Sequence, residues 1–122
     1  MASKLEVDEF LRDVRATLEY GSFYFADRDK NLDAMSKMGM AEWDVRAVLE
    51  GLNSCHYCEG PLQDLDRAGD VWIFGCRHEG WDLYVKLKLE PKPGKQTVLL
   101  VKVLSFHPQE HPLAFPYGGQ GT

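Results

Sequence analysis

No run in this chain approaches the ~18 consecutive apolar residues of a membrane span, and the opening Met1-Ala2-Ser3-Lys4-Leu5-Glu6 lacks the apolar core of a secretory signal. The expectation is a cytoplasmic protein with no membrane partner. Cysteine is scarce: the three present are an odd number, which does not make a secreted disulfide framework, so they read as reduced thiols. Positive charge is short as well. A net charge of -5 argues against generic nucleic-acid binding, which neutralises phosphates with an accessible excess of Lys and Arg. There is no internal repeat and no inter-domain linker. A length of 122 residues suits one domain and is enough to bury a core without disulfides or a metal.

The charge that is present is unevenly spread. Residues 1–70 hold 8 Lys/Arg against 15 Asp/Glu, whereas residues 71–122 hold 6 against 4. A basic C-terminal half allows a local site for an anionic ligand, although solvated lysines on an exposed sheet face explain the asymmetry equally well.

Ser3 with Glu6 forms a capping-box pattern, and Val7, Phe10, Leu11, Val14 and Leu18 fall on one helical face. This predicts a helix from about residue 4 to 19. Gly21 ends it, and residues 22–26 are short, aromatic and strand-like. A charged connector then leads into a short helix at about 31–38, broken by Gly39. Val45, Val48, Leu49 and Leu52 repeat at helical spacing, so residues 41–52 should form a third helix packed on a sheet. From 53 to 70 the periodicity disappears, and Gly60-Pro61 and Gly69-Asp70 mark an irregular crossing.

Three strands should follow. Val71 to Arg77 is rich in β-forming residues, and His78-Glu79-Gly80 can turn it back into Leu83 to Leu89. The connector from Glu90 to Gln96, with two prolines and a glycine, leads to a last strand from Val98 to Phe106 closed by His107. The last fifteen residues read as an extended tail that packs partly on the body and frays. The sum is one α+β domain: an N-terminal helix over 1–20, a core over 21–107 and a Pro/Gly-rich tail over 108–122. Two to three N-terminal helices pack on an antiparallel sheet made of a C-terminal meander and a short N-terminal strand.

Strand alternation puts Leu83, Val85, Leu87 and Leu89 on one face and Tyr84, Lys86 and Lys88 on the other, so one face is core and one can carry chemistry. RNA can be cut without metal if its 2′-hydroxyl attacks the adjacent phosphorus. That needs a base, an acid for the leaving 5′ oxygen, and positive charge around the phosphate. Histidine, with an unperturbed pKa of ~6.5, suits either proton-transfer role, which points to His107. Lys86 and Lys88 can hold the scissile phosphate, and Tyr84 can orient a hydroxyl or stack on a base. Arg28 and Lys30 in the loop are accessory phosphate contacts, and His111 a second proton-transfer group; a surface charge run and a turn residue are their plainer readings. Lys102 has the opposite strand parity to His107 and stays outside this set.

A competing signal is Cys55, Cys58, Cys76 and His78, which can supply a Cys₃His zinc site from two separate elements. Small thiols at packed positions are its plain alternative. Cys76 with His78 also makes a conceivable nucleophile pair, without a third group to orient it.

The run Arg28-Asp29-Lys30-Asn31-Leu32, Met38-Gly39-Met40, Leu52, Tyr57, Gly60-Pro61, Val71 to Gly75, the strand Leu83 to Leu89, and Ser105-Phe106-His107-Pro108 with Glu110-His111-Pro112-Leu113 together resemble the MqsR family. These are motility quorum-sensing regulator toxins of bacterial type II toxin-antitoxin pairs. The resemblance spans roughly residues 24–117 and implies a RelE-like fold. It further implies a metal-independent endoribonuclease that cleaves mRNA with no cofactor and is neutralised by a cognate antitoxin protein. The family's strand tyrosine falls on Tyr84, the neighbouring lysine on Lys86, and a basic residue after the last strand's Ser-Phe on His107. Two further functional positions fall near Cys58 and Ile73, where this chain has neither the family's lysine nor its glutamine. The rival readings are a non-catalytic interaction domain on the same scaffold, favoured by the acidic balance, and a small zinc module.

Overall fold

The structure is a computed structural model that describes residues 1–21 and 23–118. Its elements in chain order are α1 (Lys4–Glu19), β1 (Tyr24–Phe25), α2 (Asp29–Met38), α3 (Glu42–Gly51), a 3₁₀ turn (Ser54–His56), β2 (Tyr57–Gln63), β3 (Asp70–His78), β4 (Trp81–Lys92) and β5 (Lys95–Pro108). The five strands form one sheet in the order β1-β5-β4-β3-β2. Among the described strands, only β1 runs parallel to its neighbour. The architecture is α+β, three helices on a mostly antiparallel sheet.

α1 begins where its capping box puts it. The Glu6 amide donates to Ser3 Oγ at 3.1 Å and the Ser3 amide to Glu6 Oε1 at 2.9 Å, which satisfies two of the helix's orphan donors. Its apolar stripe of Val7, Leu11, Val14 and Leu18 is buried. That stripe packs with Val45, Val48 and Leu49 of α3 against Phe74, Leu83, Val85, Leu87, Val101, Val103 and Phe106 of the sheet. Each such side chain, fully buried, contributes about 1.5–3 kcal/mol relative to exposure. α2 ends at Gly39, whose φ of 68° is the left-handed conformation that closes a helix. It starts two residues earlier than the spacing predicts.

Asn31 explains how α2 is seated. Its side-chain amide donates to the carbonyls of Ala26 and Leu104 at 3.1 Å each, and its Oδ1 accepts from the Phe106 amide at 3.0 Å. A buried side chain thereby completes the outer edge of β5 where the two-residue β1 stops. This also fixes Lys30, one residue earlier, beside the end of β5.

The hairpin of β4 and β5 is longer than expected. Lys92 pairs with Lys95, so the turn is Pro93-Gly94 alone, with Gly94 at φ 75°. Glu79 (φ 50°) and Gly80 (φ 83°) make the two-residue turn between β3 and β4, with both residues on the positive-φ side that twisted hairpins favour. The stretch read as an irregular crossing contains β2, an edge strand broken by two register shifts. Another register shift changes the face assignment on β5. Lys86 pairs with Ser105 but Leu87 with Val103, leaving Leu104 as an extra residue. Lys102 therefore returns to the same sheet face as His107, contrary to the parity expected of an unbroken strand.

The helix-free face of the sheet is partly covered by the tail. The Gln109 amide donates to Asp82 O at 2.8 Å, and Leu113 and Phe115 lie over Gly75 so closely that a Cβ there would stand 2.7 and 2.9 Å from their side chains. Tyr117 stacks on Tyr57, centroids 5.8 Å apart, and donates to Ala2 O at 2.6 Å. The tail packs on the body as expected through residue 118; the fraying expected of residues 119–122, and the strand reading at Ser22, lie outside the described residues.

Candidate functional site

Between the end of the hairpin and the tail lies a cavity of about 600 Å³ whose walls include Tyr84, Lys86, Ser105 and His107 from the sheet, Lys30 from α2, and Glu110 and His111 from the tail. Cys58 and Glu59 of β2 and Ile73 of β3 close the remaining side. Five residues singled out from sequence for RNA chemistry meet here: Tyr84, Lys86, His107, Lys30 and His111. Alternation along β4 and the antiparallel register, which sets Tyr84 opposite His107 and Lys86 opposite Ser105, bring the first three together.

Tyr84 and His107 are more than neighbours. Their rings stack, centroids 5.1 Å apart and planes inclined by 13°. His107 Nδ1 lies 2.8 Å from the Pro108 carbonyl, an acceptor only, so Nδ1 carries a hydrogen and the lone pair of a neutral ring is on Nε2. Backbone and stacking together fix this imidazole's tautomer and tilt. The Tyr84 phenol is pushed above its ordinary range, first by burial and then by the negative potential of Glu59 and of Glu110. It stays a neutral hydrogen-bond donor. Lys30 donates to Glu110 at 2.7 Å and holds that carboxyl below its usual range. Burial raises the Cys58 thiol to about 12, which leaves it protonated and unsuited to nucleophilic attack.

Comparisons with family models, with curated proteins and with solved structures find no match for this chain.

Several expected members are elsewhere. Lys88 is fully buried, donating to Asp64 Oδ2 at 2.7 Å and to Ala68 O at 2.8 Å, so it anchors the loop between β2 and β3 and cannot meet a phosphate. Arg28 lines a separate depression with Asp64, Asp66, Arg67 and Lys102. Lys102 itself sits 5.5 Å above the Tyr24 ring and 3.4 Å from Glu90.

The Cys₃His set does not assemble. Cys55 donates to Asn53 Oδ1, Cys58 faces the cavity, and Cys76 is buried in the helix-side core. Among the described residues, the one group of three or more His, Cys, Asp or Glu side chains with ligand atoms close enough to share a metal is Asp44, His78 and Glu79. Burial raises the Cys76 thiol to about 11, which also removes the Cys76–His78 nucleophile pair.

Sequence reading missed Glu59 and Ser105. Ser105 lies two residues before His107 on the strand and could have been found by the same alternation. Glu59 sits on β2, whose irregular register hides its strand character.

Proposed function

We propose that this chain is a metal-independent endoribonuclease of the toxin type, acting on mRNA in the cytoplasm and restrained by a cognate antitoxin protein. The observation that carries the reading is the stacked Tyr84–His107 pair, with His107 Nδ1 tied to a carbonyl, set in one cavity with Lys86, Lys30 and His111. His107 Nε2 takes the 2′-hydroxyl proton as the 2′ oxygen attacks phosphorus. The bond to the 5′ oxygen breaks, and that oxygen receives a proton from the His111 imidazolium, leaving a 2′,3′-cyclic phosphate and a 5′-hydroxyl. Lys86 carries the positive charge that a pentacovalent phosphate needs, Lys30 adds to it to the extent that phosphate displaces Glu110, and the neutral Tyr84 phenol donates to a phosphate oxygen or a ribose hydroxyl.

A second reading, an interaction domain that binds a basic protein segment, is favoured by one observation. Glu59 and Glu110 place two carboxylates among the lysines, and Glu110 neutralises Lys30.

Cleavage of a mixed-sequence RNA in EDTA, with the product ends mapped, separates the two. Cyclic phosphate ends, with a rate that falls at least about tenfold in His107→Ala, are the expected result. Folded wild type that cuts RNA neither free nor on ribosomes would sink the enzyme in favour of the interaction domain.

A further inference from the structure

The helix side of the sheet carries a second cluster that the cleavage chemistry leaves unused. His78, the last residue of β3, faces Asp44 in the first turn of α3 and Glu79 in the β3–β4 turn. His78 Nε2 lies 3.8 Å from Asp44 Oδ1 and 4.0 Å from Glu79 Oε1, and the three donor atoms lie within 4.8 Å of one another. That Nε2 is buried and makes no hydrogen bond among the described residues.

A buried ring nitrogen with no hydrogen bond among the described residues, lying within 4.0 Å of two carboxylates, is an arrangement that calls for a ligand. We propose that Asp44, His78 and Glu79 bind a divalent first-row transition metal of the zinc class, which ties the start of α3 to the β3–β4 turn.

The spacing favours a metal over direct pairing. Carboxylate and imidazolium attract into hydrogen bonds of about 2.7–2.9 Å, whereas these separations are too long for one. Metal ligation at about 2.0–2.2 Å from each donor puts the donors themselves more than 3 Å apart, with the ion between them. Glu79, whose side chain is 64% exposed, has the freedom to rotate toward such an ion.

The rest is already in place. Asp44 Oδ2 accepts the Ala41 amide at 2.9 Å, which orients the carboxylate and leaves Oδ1 to the metal. Glu79 is held in the left-handed conformation at φ 50° by the two-residue turn, so its backbone position is set before any ion arrives. One imidazole and two carboxylates balance a dication and leave coordination positions for water. The donors are hard and borderline, which selects zinc, manganese, cobalt or nickel over cuprous ion and offers too few oxygens for calcium.

The test uses the full chain, purified without a metal-affinity tag and stripped with chelator. Zinc is titrated in competition with a chromophoric chelator, and cobalt binding is followed by absorption. About one equivalent should bind, zinc should raise the thermal midpoint, and the cobalt spectrum should lack thiolate charge-transfer bands. Affinity should fall at least about tenfold in His78→Ala and in Asp44→Asn, which keeps the Ala41 contact, and by less in the exposed Glu79→Gln. Circular dichroism checks that each variant is folded. Absence of binding at 100-fold excess zinc, undiminished binding in folded His78→Ala, binding abolished by His107→Ala, or thiolate bands in the cobalt spectrum would each overturn the site.

Discussion

Tyr84 and His107 stand directly opposite each other on β4 and β5, and the phenol ring lies flat against the imidazole. The stack and the hydroxyl are separable. Tyr84→Phe keeps the ring that tilts His107 and removes the donor, so kcat should fall about tenfold, the size of one lost transition-state hydrogen bond at roughly 1.4 kcal/mol, with KM little changed. Tyr84→Ala frees the imidazole as well and should lose more. Because burial and neighbouring carboxylates raise the phenol's pKa, its ionisation should add no limb to the pH–rate profile below about pH 10. Kinetics on a short RNA across pH check all three; equal loss in both variants would show that the hydroxyl alone matters.

The buried Lys88 makes the loop between β2 and β3 acid-sensitive. Lys88 holds Asp64 at about 2, well below the ordinary 3.8 of the unfolded chain. A carboxyl whose folded pKa is depressed contributes stability that is complete above the unfolded value and is lost as pH falls through the folded one. Urea midpoints of wild type should therefore drop between about pH 4 and pH 2 more steeply than those of Asp64→Asn. At neutral pH, where the carboxylate is charged and its contribution complete, Asp64→Asn leaves a buried ammonium with a weaker partner and should cost up to about 3 kcal/mol. Midpoints for the two proteins that stay parallel over this range would mean that Asp64 is not the group that titrates.

What could be read ahead of the structure follows from where the information sits. The capping box at Ser3, the helical spacing of Val45 to Leu52 and the alternation of Leu83 to Leu89 are local signals, and the elements form where those signals lie. Tyr84, Lys86 and His107 meet because alternation and a hairpin suffice to align them. Lys88 failed as a site residue although its parity is right, since its partner Asp64 comes from a loop 24 residues away that no local pattern connects to it. Lys102 was misplaced because a single extra residue, Leu104, reverses strand parity. β2 went unread for the same reason: Gly60-Pro61 and two register shifts erase its period of two.

Gly75 lets the tail approach the sheet. Its own backbone conformation is one any residue adopts, so the constraint is space: a Cβ would stand 2.7 Å from Leu113 Cδ1, 2.9 Å from Phe115 Cζ and 3.1 Å from Gln109 Nε2. Gly75→Ala should lift the tail and cost about 1–3 kcal/mol through overpacking. Since His111 reaches the cavity from this tail, RNA cleavage should fall with it. Limited proteolysis should cut the variant after about residue 108 faster than wild type; an unchanged cutting rate would show that the tail is held from its far end by Tyr117 instead.

Glu110 sets how much positive charge the cavity presents. It pairs with Lys30 at 2.7 Å, both side chains more than half exposed, so the pair adds little to stability while it cancels one of the two lysine charges lining the cavity. Glu110→Gln keeps the shape of the side chain and releases Lys30 to meet a phosphate. RNA affinity should rise several-fold at low salt, and the slope of log affinity against log salt should steepen by about 0.7, the value for one added phosphate contact on a single strand. Thermal stability should move little. Lys30→Met should act in the opposite direction, and the double variant should resemble Lys30→Met alone, because the carboxylate acts through the lysine. Should the double variant bind RNA more tightly than Lys30→Met, Glu110 must repel the nucleic acid directly rather than by masking Lys30, and the two binding isotherms distinguish the cases.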